Sequence, residues 1–435
     1  MRSNARAWLG RVAGVLAGGL LLTACAGGGA AAGITGAGGG NQVTGNQTVT
    51  MWMYPVISQQ NQNNAFWSKI AAGFHKKHPN ITVDVSEQTW ASRQEAVGAS
   101  LASGKPPDMM LMIPDQIPQF AAQGSLVPLN SVLGSQRSKF MPSTVNGLSF
   151  GGKLYAIPLY QDVGTVVYDK KLFNEAGITT MPETWAEMNK DAPILAAKGI
   201  PLLDYGGAPA QTLNLEFYQF LWQAGGSVFS KGGKKVIVDS KQGVAALSFL
   251  VNLEKEHAMP PDAATNGTEP GLSPFEQGKA AMTFGLDLKT AQTAAGYLGR
   301  DNVVVGQPLT DVRQVTFGNP GGLVLTKDAP HPAAAKEFLS YLMTPQVEAQ
   351  ISEATGYFAP RKDVPIQSTD PWAKTYEKAL AYAYPGDQYV QARKVMAIIA
   401  PNVQAALLNK MTPQQALQQA QEQANSELES GGGGS

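Results

Sequence analysis

Residues 152–173 read GKLYAIPLYQDVGTVVYDKKLF, a stretch with two short apolar runs separated by polar residues. The runs Lys153–Pro158 and Gly164–Tyr168 contain the β-branched and aromatic residues that are enriched in strands. Between them lies the polar segment Tyr160–Asp162. The stretch therefore predicts two consecutive strands joined by a short polar connection.

Toward the N-terminus, predicted strands and helices alternate. In the first helix, Phe66, Ile70 and Phe74 recur at four-residue spacing, as on one face of a helix. Alternating strands and helices predict a mainly parallel sheet, with ligands bound beyond the carboxyl ends of the strands. The predicted elements are the strands Val49–Tyr54, Ile81–Val85 and Met109–Ile113 and the helices Ala65–Lys77 and Glu95–Ser103.

Toward the C-terminus, several helices have clear start signals. Thr184 and Glu187 form a capping box that opens a helix running to Lys198. A strand is expected over Ile200–Leu203, and Pro332 suits the first position of a helix that runs to Met343. Thr412 caps a final helix. Together these patterns predict a large α/β protein with two lobes.

Composition restricts the class of protein. The 435 residues include 33 basic and 33 acidic side chains, 43% apolar residues and one cysteine. The apolar content excludes a disordered or collagen-like chain. A neutral balance without basic blocks argues against nucleic acid as a partner. A single cysteine cannot form an internal disulfide or a cysteine metal cage.

The N-terminus has the features of a bacterial secretion signal. Three arginines precede the apolar run Val12–Leu22, which is too short to cross a bilayer as a helix. The sequence then reads LTAC at 22–25, which resembles the bacterial lipobox. We therefore expect residues 1–24 to be a signal peptide and Cys25 to be the site of lipid attachment.

The residues after Cys25 predict a flexible connection. Residues 25–47 are nearly all Gly, Ala, Asn, Gln and Thr, which cannot bury enough apolar surface to become ordered. We expect them to form a lipid-anchored tether that keeps the protein outside the cytoplasm and attached to the cell membrane. Residues 431–435 are expected to form a flexible Gly/Ser tail.

Several further segments follow one another along the chain in an order typical of one family. They are FHKKHPNITV at 74–83, ASGKPPDM at 102–109, AQGSLVPL at 122–129, the stretch at 152–173, FEQGKAAM at 275–282, Gly321-Gly322, AAAKEFLSYL at 333–342 and GYFAPR at 356–361. With them the chain resembles the extracellular solute-binding proteins of bacterial ABC importers, in the sugar-binding family that includes maltose-binding protein.

The resemblance implies a type II periplasmic-binding-protein-like fold, in which two α/β lobes enclose a ligand cleft and three hinge crossings connect them. Closure of the lobes is a known switching motion of such receptors. We place the crossings near Tyr160, Asp311 and Asp363. We then assign residues 48–160 and 312–362 to lobe one, and residues 161–311 and 363–430 to lobe two.

The resemblance also implies a function. The chain is expected to be a receptor and not an enzyme, to capture a mono- or oligosaccharide outside the cell, and to deliver it to the permease subunits of an ABC importer. No cofactor or metal ion is expected, and the receptor is expected to be a monomer.

Candidate ligand-binding residues come from the ends of the predicted strands. A sugar cleft needs aromatic platforms beside amides and carboxylates. Tyr54 follows the first strand, Gln88 and Trp90 follow the second, and Asp115 and Gln116 follow the third. We expect these side chains to meet at one edge of the sheet.

The resemblance adds residues from the crossings and from lobe two. Asp162 is expected to accept sugar hydroxyls, and Gly321 and Gly322 are expected to let the backbone approach the ligand. Asp287 stands near a position where relatives often carry tryptophan. The remaining expected contacts are Tyr160, Tyr205 and Tyr357, with Trp222, Arg361 and Arg393 as weaker candidates.

Other ligands and functions stay open from the sequence. Arg361 and Arg393 could bind a phosphate or carboxylate, so a glycerol-3-phosphate or glycerophosphodiester receptor is an alternative. Asp115, Asp162 and Asp287 also suit a peptide or polyamine receptor. A secreted glycosidase would need two carboxyl groups roughly 5–10 Å apart.

Overall fold

The computed structural model describes residues 43–57, 60–209, 212–267 and 273–431. The expected signal peptide, the expected lipid-attachment site Cys25, most of the expected tether and the last four residues lie outside the described residues. Among the residues that are described, no helix combines the length and the apolar character that crossing a bilayer requires.

In the described part of the chain, twelve strands form two main sheets and two short ribbons. The larger sheet has the order β2-β1-β3-β11-β6, with β1 parallel to β2 and β3, and β11 antiparallel to β3 and β6. The smaller sheet has the order β8-β7-β9. The strands are β1 Gln47–Met53, β2 Ile81–Glu87, β3 Met109–Met112, β4 Ser149–Phe150, β5 Lys153–Leu154, β6 Ala156–Gln161, β7 Thr165–Asp169, β8 Met282–Leu286, β9 Val303–Val305, β10 Thr316–Phe317, β11 Pro320–Leu325 and β12 Ala383–Tyr384.

Helices cover both sheets, and their buried faces follow the apolar spacing of the sequence. The first helix buries Trp67, Ile70 and Phe74, and the capping box of Thr184 and Glu187 is formed as predicted. The helices are α1 Gln60–His75, α2 Arg93–Ala102, α3 Ile117–Ala122, α4 Asn130–Leu133, α5 Pro142–Gly147, α6 Lys170–Glu175, α7 Trp185–Ala196, α8 Phe217–Gln223, α9 Lys241–Lys255, α10 Leu288–Leu298, α11 Pro332–Leu342, α12 Pro345–Thr355, α13 Ala373–Ala379, α14 Ala392–Leu407 and α15 Pro413–Gly431. Short 3₁₀ helices span Gly134–Lys139, Arg300–Asn302 and Leu380–Tyr382.

The hydrophobic cores divide the described chain into the two lobes. The core of lobe one lies around the larger sheet and includes Met51, Leu111 and Leu323. The main core of lobe two packs the helices α7, α8, α9, α14 and α15 together, and a smaller core lies around α10 and α13. Each sheet thus has its own buried apolar layer, which confirms the two-lobed α/β fold.

Three chain segments cross between the lobes side by side. The first lies between β6 and β7, and the second precedes β11. The Asp162 amide donates to the Asn319 carbonyl over 2.9 Å, so these two crossings are hydrogen-bonded to each other. The third crossing follows α12, where the Phe358 and Gln161 amides each donate to the other's carbonyl over 2.9 and 2.8 Å.

Two expectations differ from the structure. The second crossing lies past Asp311, because Val315 and Phe317 pack into the core of lobe two and β10 pairs with β12. The segment Ile200–Leu203 forms only one bridge, between Leu203 and Met282, instead of a full strand. Pro201 lacks the N–H that a regular ladder needs.

Candidate functional site

A cavity of about 730 Å³, called the cleft cavity below, lies where the lobes face each other. Its lobe-one wall comes from the residues that follow β1 and β2, its lobe-two wall from the first turns of α10, and its floor from the third crossing. These elements bring together Pro55, Val56, Ile57, Gln60, Gln62, Glu87, Gln88, Thr89, Trp90, Ala91, Asp287, Lys289, Thr290, Thr293, Ala354, Thr355 and Tyr357. Of the predicted residues, Gln88, Trp90, Asp287 and Tyr357 line it directly.

Trp90 forms an aromatic wall of this cavity. Its ring stacks on Tyr54 with centroids 4.6 Å apart and planes 25° from parallel, and its Nε1 donates to the Pro55 carbonyl over 2.9 Å. Tyr54 is fully buried, and burial raises its pKa to about 12. Tyr54 therefore fixes the position of the Trp90 ring from behind.

Two predicted carboxyl groups lie at the hinge. Asp287 caps α10, because its Oδ1 accepts from the Thr290 amide over 2.9 Å and its Oδ2 accepts from the Thr290 hydroxyl over 3.0 Å. The Oδ1 of Asp162 is sealed from solvent and has no hydrogen-bond partner among the described residues. Burial raises the pKa of both carboxyl groups, and the charge of Asp287 raises the pKa of Asp162 further. We call these two residues the hinge carboxyl pair.

Tyr160 and Tyr357 pack together beside the hinge, with ring centroids 4.8 Å apart. Gly321 is required here by packing, because a Cβ atom at this position would collide with the ring of Tyr160. A Cβ atom at Gly322 would approach the Ile157 carbonyl and the Leu148 side chain. Close packing inside the sheet therefore accounts for both glycines, and the approach of their backbone to a ligand stays a prediction.

An ion pair connects the two lobes at the end of β3. Asp115 from lobe one lies 2.9 Å from the guanidinium of Arg393 at the start of α14, and it also accepts from the Asn214 side-chain amide over 3.1 Å. We call Asp115 and Arg393 the cross-lobe ion pair. Gln116, next along the chain, is fully buried. The predicted anion-binding Arg393 is thus paired with another predicted site residue.

Arg93, which the sequence reasoning missed, lies beside Trp90 and is not itself among the residues that line the cleft cavity. Its Nη1 donates to the Trp90 carbonyl over 2.6 Å, and its guanidinium lies 5.7 Å from the centre of the Trp90 ring. Burial, together with the nearby positive charge of Arg393, lowers its pKa to about 10. The sequence feature that could have identified Arg93 is its position, three residues after Trp90 and at the start of α2.

Lys289, Thr290 and Thr293 were also missed. They lie in the first turns of the helix that Asp287 caps, and all three line the cleft cavity. Extending the strand-end argument from Asp287 into the next helix would have found them. Helical spacing then places positions 289 and 293 on one face.

Three predicted residues lie away from the cleft cavity. Tyr205 is 1% exposed in the core of lobe two, and Trp222 packs edge-on against Tyr384. Arg361 forms two 2.8 Å hydrogen bonds to Asp363 and donates to the Met343 carbonyl, so its guanidinium is already used inside lobe one. These contacts correct the expected ligand roles of Tyr205, Trp222 and Arg361.

A second cavity of about 170 Å³, called the lobe-two cavity, lies in lobe two beside the start of α10. Thr290 lines both cavities. The other residues that line it are Asp204, Leu215, Glu216, Ser273, Glu276, Thr283, Phe284, Gly285 and Leu286. The described part of the chain contains no group of three or more His, Cys, Asp or Glu that could hold a metal ion.

Known structures share this two-lobed fold. A solute-binding protein of Thermotoga lettingae with bound α-D-tagatose matches with a TM-score of 0.77 and 23% identity, over 88% of this chain and 100% of the other. The maltose-bound MalE3 of T. maritima matches with a TM-score of 0.75 and 24% identity, over 87% of this chain and 99% of the other.

Relatives with similar sequences are also binding proteins. The diacetylchitobiose-binding protein DasA of Streptomyces coelicolor is 23% identical over 354 residues, which cover 78% of this chain and 79% of the relative. The arabinooligosaccharide-binding protein of Halalkalibacterium halodurans is 24% identical over 350 residues, which cover 75% and 74%. The family model described as bacterial extracellular solute-binding protein matches residues 58–349. The chain therefore belongs to the family of bacterial extracellular solute-binding proteins.

Proposed function

We propose that this chain captures a mono- or oligosaccharide in the cleft cavity and delivers it to the permease of an ABC importer when the lobes close. The observation that carries the proposal is the composition of that cavity. The Trp90 ring, fixed by Tyr54, stands beside amide, hydroxyl and carboxylate groups from both lobes. Flat aromatic faces next to such polar groups suit the apolar faces and the hydroxyls of a sugar.

The volume of the cleft cavity supports a ligand of this size. At about 730 Å³ it falls within the range of roughly 300–1,000 Å³ that small-molecule sites occupy. Walls from both lobes mean that a bound ligand contacts lobe one and lobe two together. Such a ligand stabilises the closed arrangement because it binds that arrangement better than the open one.

The predicted residues in and around the cleft have the following proposed roles. Trp90 is the stacking platform, and Gln88 and Tyr357 contact the ligand directly. The hinge carboxyl pair of Asp162 and Asp287 accepts sugar hydroxyls. Tyr54 and Tyr160 support these groups from behind, whereas Asp115 with Arg393 stabilises closure.

The anchoring of the receptor is part of the proposal. Family membership implies a protein that works outside the cytoplasm. We add that Cys25 carries a lipid and that the following tether keeps the receptor near the membrane and its permease. Radiolabelled palmitate incorporation in a bacterial host, with Cys25→Ser as the unlabelled control, tests this step, and equal labelling of both chains would contradict it.

A ligand screen tests the sugar proposal. Thermal denaturation is followed with a library of mono- and oligosaccharides, because a true ligand raises the apparent stability by mass action. The dissociation constant of each hit is then measured by calorimetry. Trp90→Ala is expected to weaken binding about tenfold, as stacking contributes roughly 0.5–1.5 kcal/mol beyond area burial.

Trp372→Ala is the matched control. Trp372 is a half-buried tryptophan in lobe two whose ring lies 3.1 Å from the Arg300 guanidinium. Its removal is expected to leave the dissociation constant unchanged. If Trp90→Ala also leaves it unchanged, Trp90 does not contact the ligand.

Arg93 favours one alternative ligand class. Its guanidinium lies 5.7 Å from the centre of the Trp90 ring, which lines the cleft cavity, and its Nε has no hydrogen-bond partner among the described residues. A phosphate on a glycerol or glycerophosphodiester would satisfy that donor. The same screen therefore includes glycerol-3-phosphate and glycerophosphocholine, and binding of these without any saccharide would replace the sugar by an anionic ligand.

The hinge carboxyl pair raises the question of a glycosidase. A family of solute-binding proteins argues against an enzyme, yet two carboxyl groups beside a sugar could perform acid–base chemistry. Incubation with the saccharides that bind, followed by chromatography, distinguishes the two. Cleavage of many equivalents per protein would contradict a receptor.

A further inference from the structure

The lobe-two cavity is a second space, next to the cleft cavity, that is available to part of the ligand. Its volume of about 170 Å³ is too small for a whole sugar site and fits a substituent. Thr290 lines both this cavity and the cleft cavity, so the two adjoin. A group carried by a ligand in the cleft can therefore extend toward Asp204, Glu216 and Glu276.

The fold brings these three carboxyl groups together from separate segments. Asp204 follows the bridge of Leu203 with β8, and its Oδ2 accepts from the Phe275 amide over 3.0 Å. Glu216 precedes α8, and Glu276 belongs to the turn before β8. The cavity thus forms at the same end of the lobe as the candidate residues of α10.

Glu216 has an unused acceptor at this cavity. Its side chain is 4% exposed, and its Oε2 has no hydrogen-bond partner among the described residues. A buried carboxyl oxygen without a donor costs free energy, because it gives up water and gains nothing in return. A ligand group that donates hydrogen bonds would remove this cost.

The charges around the cavity indicate which kind of ligand group would donate hydrogen bonds there. None of the described residues that line it is Lys, Arg or His. Burial raises the pKa of Glu216, and the charge of Asp204 raises it further. Burial likewise raises the pKa of Asp204, which the charges of Glu276 and Asp262 also raise. The site is therefore acidic and lacks a compensating cation from its own walls.

An aromatic ring adds to the preference for a cation. Phe284 lines the cavity and is held in place by Tyr205, with ring centroids 6.3 Å apart, and by Phe220, edge-on at 5.0 Å. The negative face of an aromatic ring attracts an ammonium group within about 6 Å. Carboxylates and a ring face together suit a protonated amine better than a hydroxyl.

We propose that the lobe-two cavity receives a protonated amino group of the ligand, so that the natural ligand is an amine-bearing saccharide. The inference rests on the proposed sugar function and specifies its substrate class. Three donor hydrogens of an ammonium group match the acceptors of Asp204, Glu216 and Glu276. A bound ammonium group also favours the ionised carboxylates, so binding releases protons.

Matched saccharides test the inference. The set contains glucose derivatives and trisaccharides with an amino group at C2, C3, C4 or C6, each beside its hydroxyl and N-acetylamino counterparts. Dissociation constants are measured by calorimetry at pH 7 in two buffers of different ionisation enthalpy, which also gives the number of protons released. We expect at least one amine to bind ten times more tightly than its two counterparts and to release protons.

Glu216→Gln is expected to reduce the tenfold preference for the amine to less than threefold and to reduce the number of protons released. Glu348→Gln is the matched control, since Glu348 is a fully buried glutamate in lobe one whose pKa is raised to about 9 by burial. It should leave the preference unchanged. If Glu216→Gln does not fold, Glu276→Gln takes its place, and proton release by the unaltered protein needs no variant.

The outcomes separate the inference from the function on which it rests. Binding of neutral saccharides with equal or weaker binding of every amine overturns the amine site and leaves the sugar receptor intact. Tight amine binding that Glu216→Gln and Glu276→Gln do not affect also overturns it. If no saccharide of any kind binds, the sugar function fails, and the inference fails with it.

Discussion

The lobes meet at two charged sites, of which one pairs opposite charges and the other brings two acids together. The cross-lobe ion pair joins a negative Asp115 to a positive Arg393, and Asn214 adds a hydrogen bond. The hinge carboxyl pair instead brings two acids together, Asp162 and Asp287, and both are half-buried. We propose that the first arrangement favours the closed lobes without a ligand, whereas the second needs protons or hydrogen-bond donors from a ligand.

This difference suggests how closure depends on the ligand. Opposite charges that leave water must be paired to avoid a large cost, and Asp115 and Arg393 satisfy this requirement through each other. Like charges at the hinge have no such partner, and the Oδ1 of Asp162 remains without a donor among the described residues. Sugar hydroxyls would donate hydrogen bonds to the hinge carboxyl pair. Ligand binding would thereby offset the cost of burying these two acids, while the cross-lobe ion pair keeps its own charges paired.

Removing the ion pair should have the largest effect. Arg393→Ala leaves Asp115 buried without its cation, and truncating one partner of such a pair costs roughly 2–5 kcal/mol. The ligand dissociation constant, measured by calorimetry, should therefore rise at least thirtyfold. Arg300→Ala is the control, because the Arg300–Asp370 pair lies within lobe two and its arginine is 44% exposed.

An unchanged dissociation constant in Arg393→Ala would mean that the ion pair does not stabilise the closed lobes. A double-mutant cycle with Asp115→Asn isolates the pairwise contribution. If the cross-lobe ion pair stabilises the closed lobes, the cycle shows favourable coupling between Asp115 and Arg393.

Neutralising one hinge acid should have a smaller effect, which is to raise the stability of the protein without ligand. Because the pKa of Asp162 is raised in the folded protein, the unfolded chain ionises first as pH rises, and the group then lowers stability above its ordinary pKa. Asp162→Asn should therefore raise the melting temperature at pH 8 by about 2 °C, as expected for a change of about 1 kcal/mol. The gain should shrink as pH falls toward 4.

Differential scanning calorimetry between pH 4 and 8 measures this dependence. Asp84→Asn is the control, since Asp84 is exposed on β2. A gain in Asp162→Asn that does not vary with pH would contradict a titrating hinge. The same variant should bind the ligand less tightly, because an amide replaces one acceptor of the sugar hydroxyls.

A variant outside both places should have the smallest effect on binding. The Thr184 hydroxyl accepts from the Glu187 amide over 3.1 Å, and Glu187 accepts in return from the Thr184 amide over 3.0 Å. Thr184→Ala should lower the unfolding free energy by about 1 kcal/mol. The ligand dissociation constant should not change, and Thr184→Ser should retain the cap. A loss of affinity in Thr184→Ala would show that general destabilisation, and not the two charged places, governs binding.

The sequence predicted the regular elements well, because their signals are local. The first helix was predicted over 65–77 and spans Gln60–His75, and the capping box at Thr184 is formed. Gln88 and Trp90 were expected at a strand end and line the cleft cavity. Strand direction and apolar spacing fix these features within one stretch of chain.

Contacts between segments that are distant in the chain could not be predicted from the sequence. Arg361 and Arg393 look alike as free cations, yet one pairs with its neighbour Asp363 and the other with Asp115 from the opposite lobe. The same limit applies to Gly321, whose role depends on the ring of Tyr160 in the adjacent strand. The second crossing was placed too early because no local signal separates a lobe-two loop from a hinge.

The sequence by itself determined the α/β class, the order of the elements, the family resemblance and the expected lipid attachment at Cys25, since each depends on local patterns or on motifs in chain order. The tertiary structure alone decided which acids face each other, which arginine is paired and where a second, acidic cavity lies beside the cleft. Burial and partner charges set the properties of an ionisable group, and both arise only when segments far apart in the chain are packed together.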